Sequence, residues 1–357
     1  MDAKTSDRND RNRPEACASA WEFQRLMVQA GQKASNSAHQ PPSHDIIAPK
    51  VQSLPMVFSS PHSGDDYPAE FLATSRLSAL ELRRSEDSFV DELFAAAPEE
   101  GAPLLRALFP RAYVDPNREP FELDQTMFSE RLPDYANTRS PRVVAGLGTI
   151  AKVVANGAEI YQDKLTFEEV SDRISRHYWP YHAALRQLVE QTRKRFGFCV
   201  LIDCHSMPSQ VAYRSDEITA NLNGDAPRPQ PVAGKANWQQ PANNRCSQAN
   251  SAGAECDMIL GDSHGQACAD SLTDSAEASL RAMGYRVGRN DPYSGGFVTR
   301  HYGRPKEKVH ALQIEISRGL YMDEARIQRH PDLSPLQADL RRLIRDLGAA
   351  VSRDLAP

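Results

Sequence analysis

The sequence predicts an α/β domain with a mixed, largely parallel central sheet flanked by helices. Short apolar segments alternate along the chain with longer segments of helical periodicity, which is typical of sheets whose strands are joined by helices. The chain has 357 residues, 40% of them hydrophobic and 25% charged, so it is long enough to bury a large core. No internal repeat is visible. These observations favour one domain.

Individual elements follow from periodicity and length. The predicted strands cover residues 56–60, 112–115, 143–150, 198–204, 285–288 and 309–317. The predicted helices cover residues 77–97, 168–196, 264–283 and 335–353. Pro180 predicts a bend in the second helix, because proline lacks the N–H that a helix interior requires.

Two polar segments lie outside this pattern. Residues 1–50 are rich in Ser, Asn, Gln and Pro, and a segment of this composition buries too little apolar surface to offset its ordering entropy. We therefore expect a flexible N-terminal tail, followed by a single domain over residues 51–357. Residues 215–255 have a similar composition and predict a long loop, which is either a functional lid or a variable insertion.

Composition also bears on partners and location. The formal charge of −5 argues against a nucleic-acid binder, which usually carries a basic excess. No segment approaches the roughly 20 apolar residues that span a bilayer, and the first residues lack the apolar core of a secretion signal. We expect a cytoplasmic protein with no membrane partner. The sequence leaves the oligomeric state open.

Two histidines each lie at the end of a predicted strand, His62 in VFSSPHSGDD and His205 in VLIDCHSMPS. In open α/β sheets, ligands bind at the carboxyl ends of the strands, so these imidazoles are expected to converge. Two imidazoles and one carboxylate with an open fourth position form a common catalytic zinc site. For either histidine alone, a structural role is the alternative.

The third ligand is less well defined by the residues. Asp65 lies three residues after the first histidine, and the segment SEDSFVD supplies Glu86, Asp87 and Asp91. These acids are equally suited to the first turn of a helix, where the macrodipole favours negative charge. Cys204 precedes the second histidine and is either a buried structural thiol or a ligand.

Glu315 interrupts the apolar strand ALQIEIS. A buried carboxylate costs several kcal/mol unless it is paired or near a metal. It is therefore a candidate general base that takes a proton from water at the metal. The alternative is a solvent-facing residue on an edge strand.

Candidate contacts to substrate lie in two further segments. Asn117 and Arg118 follow the predicted strand at 112–115, and a guanidinium fork beside an amide suits a substrate carboxylate, although DPN also favours a simple turn. The loop at 290–308 contains a Gly pair with Arg300, His301 and Arg304 and either covers a substrate or forms an exposed basic hairpin.

Taken together, these segments resemble the N-formylglutamate amidohydrolase family, whose members are metal hydrolases with a fold similar to that of zinc carboxypeptidases. The matching segments run in order from about residue 56 to residue 325. They are SSPHSGDDYP, SEDSFVDELF, YVDPNREPFELD, AGLGTIAKV, YHAALRQLV, VLIDCHSMPS, DMILGDSHGQAC, NDPYSGGFVTRHYGRP and VHALQIEISRGLYMDE. The resemblance implies a central sheet of the zinc carboxypeptidase/phosphorylase-hydrolase type.

The resemblance also implies a role for individual residues. His62 and His205 are expected to bind one Zn²⁺ per chain, or another divalent metal, and Glu315 to be the catalytic glutamate. The carboxypeptidase pattern H-x-x-E is present here only as H-x-x-D, which ends at Asp65. Because members of the resembled family often have no acid at that position, Asp87 is the expected carboxylate ligand, with Asp65 as its rival.

The implied reaction is the metal-dependent hydrolysis of N-formyl-L-glutamate to glutamate and formate, in the context of histidine degradation. Asn117 and Arg118 correspond to an Asn-Arg pair near the substrate of related enzymes, and Arg300 is expected to supply a second cation to this small dicarboxylate. One alternative is a hydrolase of other N-acyl amino acids or a carboxypeptidase-like peptidase. Another is a non-catalytic binding protein on the same fold.

Overall fold

The computed structural model describes residues 42–154, 156–209 and 256–354. The predicted loop at 215–255 therefore lies outside the described residues, and so does the predicted tail as far as residue 41. The expected tail boundary at residue 50 is too late in the chain. His44–Ile47 form an edge strand that pairs antiparallel with Leu104–Ala107, and this pairing supplies the backbone hydrogen bonds that a free tail would lack.

In the described residues, seven strands form a mixed sheet with helices on both faces, as predicted. The order is β1-β3-β2-β4-β7-β5-β6, in which β3, β2, β4 and β7 are mutually parallel. β1 pairs antiparallel with β3, and β5 pairs antiparallel with β7 and parallel with β6. A separate hairpin is formed by Met322–Asp323 and Gln328–Arg329. The seven strands are β1 (His44–Ile47), β2 (Met56–Ser60), β3 (Leu104–Ala107), β4 (Cys199–Met207), β5 (Met258–Gly261), β6 (Val287–Arg289) and β7 (Val309–Ser317).

The helices vary greatly in length, and none in the described part of the chain is both long and apolar enough to cross a membrane. They are α1 (Ala69–Thr74), α2 (Ala79–Arg83), α3 (Val90–Leu93), α4 (Pro141–Val144), α5 (Phe167–Arg173), α6 (Trp179–Phe196), α7 (Asp270–Ala282), α8 (Phe297–Tyr302) and α9 (Leu333–Asp354). Short 3₁₀ turns occur at Gln125–Met127, Pro305–Glu307 and Arg318–Leu320.

The two faces of the sheet belong to different hydrophobic cores, because successive side chains of a strand point to opposite sides. On β4, Leu201 contributes to the core that also contains Leu185 of α6. Its neighbours Val200 and Ile202 contribute to the opposite core, together with leucines of the C-terminal helix, among them Leu340 and Leu343. That helix is confirmed as α9, one or two residues longer at each end than predicted.

Two predicted strands are wrong. Residues 112–115 form a turn in which the N–H groups of Tyr113 and Val114 both donate to the Pro110 carbonyl, and the strand lies earlier, at β3. Residues 143–150 begin in helix α4, because the Ser140 hydroxyl caps its N terminus and proline occupies its first turn. Apolar composition alone does not distinguish a buried loop from a strand.

The predicted helix at 77–97 is divided into α2 and α3. A capping box of Ser78 and Glu81 begins α2, as helix-start chemistry predicts. Phe89 adopts a left-handed conformation, with φ of 67°, at the start of α3. In the interruption, the Asp87 N–H donates to the His62 carbonyl at 3.0 Å, so a tertiary contact replaces a helical one.

The predicted helix at 168–196 is helical throughout but contains a π-helical turn, Ile174–Tyr178, between α5 and α6. Pro180 falls in the first turn of α6, where its missing N–H is tolerated. A π turn immediately precedes this proline, and the bend predicted at Pro180 stays a prediction.

Candidate active site

The site lies where three adjacent parallel strands, β2, β4 and β7, end at the same edge of the sheet. His62 follows β2, whereas His205 and Glu315 are paired in register on β4 and β7. The preceding pair on the same face is Asp203 and Gln313. Because side chains along a strand alternate between the two faces of the sheet, these four polar side chains lie on the same face as Leu201, whose core also contains Leu185.

Asp87 completes a buried group of three ligand-type side chains. Its Oδ2 lies 3.2 Å from Nδ1 of His62 and 3.0 Å from Nδ1 of His205. One donor atom from each residue lies within 4.8 Å of the others, and all three residues are at most 2% exposed. The break between α2 and α3 is what brings Asp87 to the histidines.

Each histidine has a second carboxylate on its far nitrogen. Nε2 of His62 lies 2.8 Å from Oδ1 of Asp115, and Nε2 of His205 lies 3.0 Å from Oδ1 of Asp203. A carboxylate can only accept, and a buried one without a proton donor is costly, so the protons belong on both Nε2 atoms. In the structure each Nδ1 hydrogen-bonds to Oδ2 of Asp87, and a metal bound here would replace the proton at each Nδ1, which is the arrangement found around protein-bound metals.

Arginines compensate the buried acids. Arg318 donates to Oδ1 of Asp87 at 3.0 Å, and Arg111 donates to Oδ2 of Asp115 at 2.8 Å. Burial would raise the pKa of Asp87, but hydrogen bonds from the two histidines hold it well below its usual range. The pKa of Asp115 is also held well below its usual range, because the Arg111 charge outweighs the effect of burial.

Glu315 has a different environment. It is 6% exposed, and its Oε1 accepts a hydrogen bond of 2.8 Å from Nε2 of Gln313. Burial raises the pKa of Glu315 to about 7, although the positive charge of His205 opposes this shift. The predicted solvent-facing alternative for Glu315 is therefore wrong, since the residue is buried beside the three-ligand group.

The Gln313 amide is itself oriented by the loop before α8. The Gly296 N–H donates to Oε1 of Gln313 at 2.7 Å, which directs the other end of the amide towards Glu315. A Cβ at position 296 would overlap the side-chain amide of Asn117, so only glycine permits this close approach.

A cavity of about 380 Å³ opens beside these residues, a size suited to a small molecule. Its wall includes the three-ligand group and Glu315, together with apolar atoms of Leu147. The basic side chains that line it are Arg111, Arg118, Arg142, Arg300 and Arg318. A cavity with this charge distribution favours an anionic ligand.

The predicted Asn117–Arg118 pair lines the cavity, but much of its hydrogen-bonding capacity is used within the protein. Oδ1 of Asn117 accepts from the Val298 N–H at 2.7 Å, and Nδ2 lies 3.0 Å from Nε2 of His205. Arg118 donates from Nε to the Leu147 carbonyl and from Nη1 to the Asn117 carbonyl. The Nη2 group and one N–H of Nη1 remain for a ligand.

Arg300 also lines the cavity and donates to the Gly295 carbonyl at 2.8 Å.

The other side chains considered from sequence lie elsewhere. Asp65 is exposed and lies 3.6 Å from Arg83, so the structure separates it from the histidines. Cys204 points into the opposite core of the sheet, and burial raises its thiol pKa well above the usual range. A buried structural thiol is consistent with this position.

Several site residues were not identified from the sequence: Asp115, Asp203, Gln313, Arg111, Arg142 and Arg318. For two of them a signal was present. Asp203 and Gln313 lie two positions before His205 and Glu315, so strand periodicity alone places them on the same face. The arginines carry no such signal, because their positions depend on loop conformation.

Comparisons with known proteins agree with this geometry. The family model described as N-formylglutamate amidohydrolase matches residues 54–322. The chain is 26% identical over 301 residues to an N-formylglutamate deformylase from Pseudomonas putida, an alignment that covers 82% of this chain and 92% of that protein. A Pseudomonas aeruginosa protein of the same name is 26% identical over 282 residues, covering 78% and 86% of the two chains.

Solved structures show the same relationship. The crystal structure of N-formylglutamate amidohydrolase from Ralstonia eutropha has a TM-score of 0.72 and 36% identity, and the comparison covers 88% of this chain and 99% of that one. A gene product from Agrobacterium tumefaciens has a TM-score of 0.55 at 17% identity, which supports the fold alone. The chain therefore belongs to the N-formylglutamate amidohydrolase family and is an amide hydrolase.

Proposed function

We propose that the protein hydrolyses N-formyl-L-glutamate to glutamate and formate in a metal-dependent reaction. Family membership supports the reaction class, and the names of the related deformylases support the substrate. The observation that carries the proposal is the buried convergence of His62, Asp87 and His205 beside Glu315 in an arginine-rich cavity. Histidine degradation is the metabolic context that this substrate suggests.

The three converging side chains fit a divalent metal. Two imidazoles and a carboxylate supply the donor set of a catalytic zinc site, and the carboxylates of Asp115 and Asp203 fix the protons on the far nitrogens. When bound, zinc would lower the pKa of a water ligand and polarise an amide carbonyl. We propose Zn²⁺, one per chain, because the donor set includes two nitrogens.

Glu315 is the proposed general base. Its carboxylate accepts a proton from the water that attacks the formyl carbon, and a new C–O bond forms. The same proton then passes to the glutamate nitrogen as the C–N bond breaks, which releases formic acid and a neutral amine. The acid proton then passes to the amine, which gives formate and the ammonium form of glutamate. A pKa of about 7 suits a group that must both accept and donate a proton near neutral pH.

Arginines bind the two carboxylates of the substrate in this proposal. Arg118 offers its free Nη edge to one carboxylate, and Arg300 is placed in the same cavity to meet the other. The Nδ2 group of Asn117, at the wall of the cavity, is a further donor for the substrate. Fixing both carboxylates orients the formyl carbonyl towards the metal and Glu315.

A substrate panel and a metal assay test the proposal. Hydrolysis of N-formyl, N-acetyl and N-succinyl derivatives of glutamate should be fastest for the formyl compound. Preference for another acyl group would support the alternative of a different N-acyl amino acid hydrolase, and cleavage of a peptide C terminus would indicate a peptidase. Metal binding without turnover of any substrate would indicate a binding protein.

The purified protein should contain about one divalent metal per chain, because one three-ligand group is present among the described residues. A chelator should abolish hydrolysis and added zinc should restore it. His62→Ala and His205→Ala should each lose the metal, whereas Cys204→Ser should retain it, because that side chain faces the opposite core. Full activity of a metal-free sample would contradict the proposal.

A further inference from the structure

The arginines around the cavity differ in whether they form ion pairs within the protein. Of its five arginines, Arg111 and Arg318 are paired with buried aspartates, and Arg118 lies 3.7 Å from Asp115. Arg142 and Arg300 line the same cavity but have no ion-pair partner within 4.0 Å among residues 42–154, 156–209 and 256–354. Two guanidinium groups are therefore available to an anionic ligand.

The backbone of Arg142 is held in place by its surroundings, whereas its side chain is exposed. It lies in the first turn of α4, which is capped by the Ser140 hydroxyl and anchored by the buried side chain of Val143. The Leu147 N–H donates to the Arg142 carbonyl at 2.8 Å, and the Leu147 carbonyl accepts from Nε of Arg118 at 2.8 Å. One short loop therefore connects the two arginines through their backbone and side-chain contacts.

Electrostatics shows that Arg142 is close enough to influence the other two cations. Burial lowers the pKa of Arg300, and the charge of Arg142 lowers it further, opposed by the carboxylates of Glu119 and Glu122. Burial also lowers the pKa of Arg118 to about 10, opposed by Asp115, while Arg111 and Arg142 contribute in the same direction as burial. Like charges held together in a partly desolvated cleft are relieved by a bound anion.

We propose that Arg142 is a specificity-determining residue, which with Arg300 binds the side-chain carboxylate of an N-acyl amino acid. Arg118 then binds the α-carboxylate. This inference rests on the proposed function and adds the basis of its selectivity: an acidic side chain is selected because two otherwise unpaired guanidinium groups receive it. A neutral side chain would form no ion pair with either of these exposed guanidinium groups.

The comparison of N-formyl-L-glutamate with N-formyl-L-glutamine tests this role, because the two differ in charge but hardly in shape. Kinetic constants would be measured for the unaltered protein, Arg142→Gln and Arg142→Lys. Arg142→Gln should lower kcat/KM for formylglutamate by about 10- to 100-fold, mainly through KM, and leave formylglutamine nearly unchanged. Arg142→Lys should retain part of the preference, because it keeps the charge but loses the planar fork.

Arg139→Gln is the matched control. Arg139 is exposed on the same segment, three residues earlier, and does not line the site cavity. The Arg139→Gln variant should keep the preference for the acidic substrate, and metal content should be normal in all variants. An unchanged preference in Arg142→Gln, or an equal loss for both substrates, would overturn the inference.

Failure of the proposed function would be seen separately. If the unaltered protein favours another acyl group, the same acidic and neutral pair is compared with that group. Loss of acid preference in Arg142→Gln would then support the inference, although formylglutamate is not the substrate. An unaltered protein that prefers the neutral compound would overturn it.

Discussion

Asp87 and Glu315 are both buried carboxylates, yet their surroundings give them opposite affinities for a proton. Asp87 accepts from two histidines and Arg318, and these contacts hold its pKa well below the usual range despite burial. Burial raises the pKa of Glu315 to about 7, and Gln313 is its neutral hydrogen-bond donor. The difference suits one residue to metal ligation and the other to proton transfer.

Changing Glu315 to Gln tests this division of roles at the scale of a single residue. The substitution preserves the shape of the side chain but removes the proton acceptor, so kcat should fall by about 10² to 10⁴-fold. Metal content, measured by elemental analysis, should stay near that of the unaltered protein. A variant that hydrolyses formylglutamate at an unreduced rate would show that Glu315 is structural.

At the scale of elements, helix α6 holds the loop that carries Asn117 and Arg118. The Tyr178 hydroxyl at the end of the π turn donates to the Arg118 carbonyl at 2.8 Å. One turn later, Nε2 of His182 lies 2.8 Å from the Pro116 carbonyl. Burial lowers the pKa of His182 to about 3, so the ring is neutral and donates one proton there. The π turn and helix thus position a loop with no strand of its own.

Tyr178→Phe removes the hydroxyl that holds this loop. We expect a loss of about 0.5–1.5 kcal/mol in the free energy of unfolding, together with a raised KM for formylglutamate, because the Arg118 backbone loses a fixed contact. Chemical denaturation and steady-state kinetics measure the two effects, and metal content should not change.

Tyr181→Phe is a matched control for this experiment. Tyr181 is a fully buried residue of the same helix, and its hydroxyl lies 2.7 Å from the Ser59 hydroxyl, away from the Asn117–Arg118 loop. It should lower stability by a similar amount but leave KM unaltered. Equal changes in KM for both variants would indicate a general effect of helix packing.

At the scale of the whole molecule, the sheet separates the site from a second core. The site lies above the face covered by α6, whereas α7 and α9 pack on the opposite face. Leu343 of α9 is 1% exposed in that opposite core. We therefore expect substitutions in that opposite core to lower the free energy of unfolding without changing metal binding or the rate of hydrolysis.

Leu343→Ala should lower the free energy of unfolding by about 2–5 kcal/mol, because it removes buried apolar surface and leaves a cavity. Below the unfolding transition, kcat and metal content should match those of the unaltered protein. The adjacent Arg342, whose side chain is 60% exposed, provides the control, since its change to Ala should alter stability by no more than about 0.5 kcal/mol. Loss of metal in folded Leu343→Ala would contradict this separation.

The sequence by itself determined the elements whose pattern is local. Strands β2, β4 and β7 and helix α9 follow from apolar runs and periodicity, and their ends placed His62, His205 and Glu315 at one edge of a parallel sheet. Family resemblance favoured Asp87 over Asp65 as the carboxylate of the three-ligand group, which the structure also brings together. The strands and the helix could be predicted because their side-chain periodicity is visible in the sequence.

Only the tertiary structure decided the contacts made by irregular segments. The helix predicted through Asp87 is broken because its N–H bonds to His62, a residue 25 positions earlier. Asp115 reaches the site from a turn where a strand had been predicted. Arg142 reaches it from a short helix, Pro141–Val144, whose last two residues had been predicted to begin a strand. In such segments, backbone hydrogen bonds to partners distant in the sequence override local propensity. These bonds produce no periodic pattern in the sequence, so they could not be predicted from it.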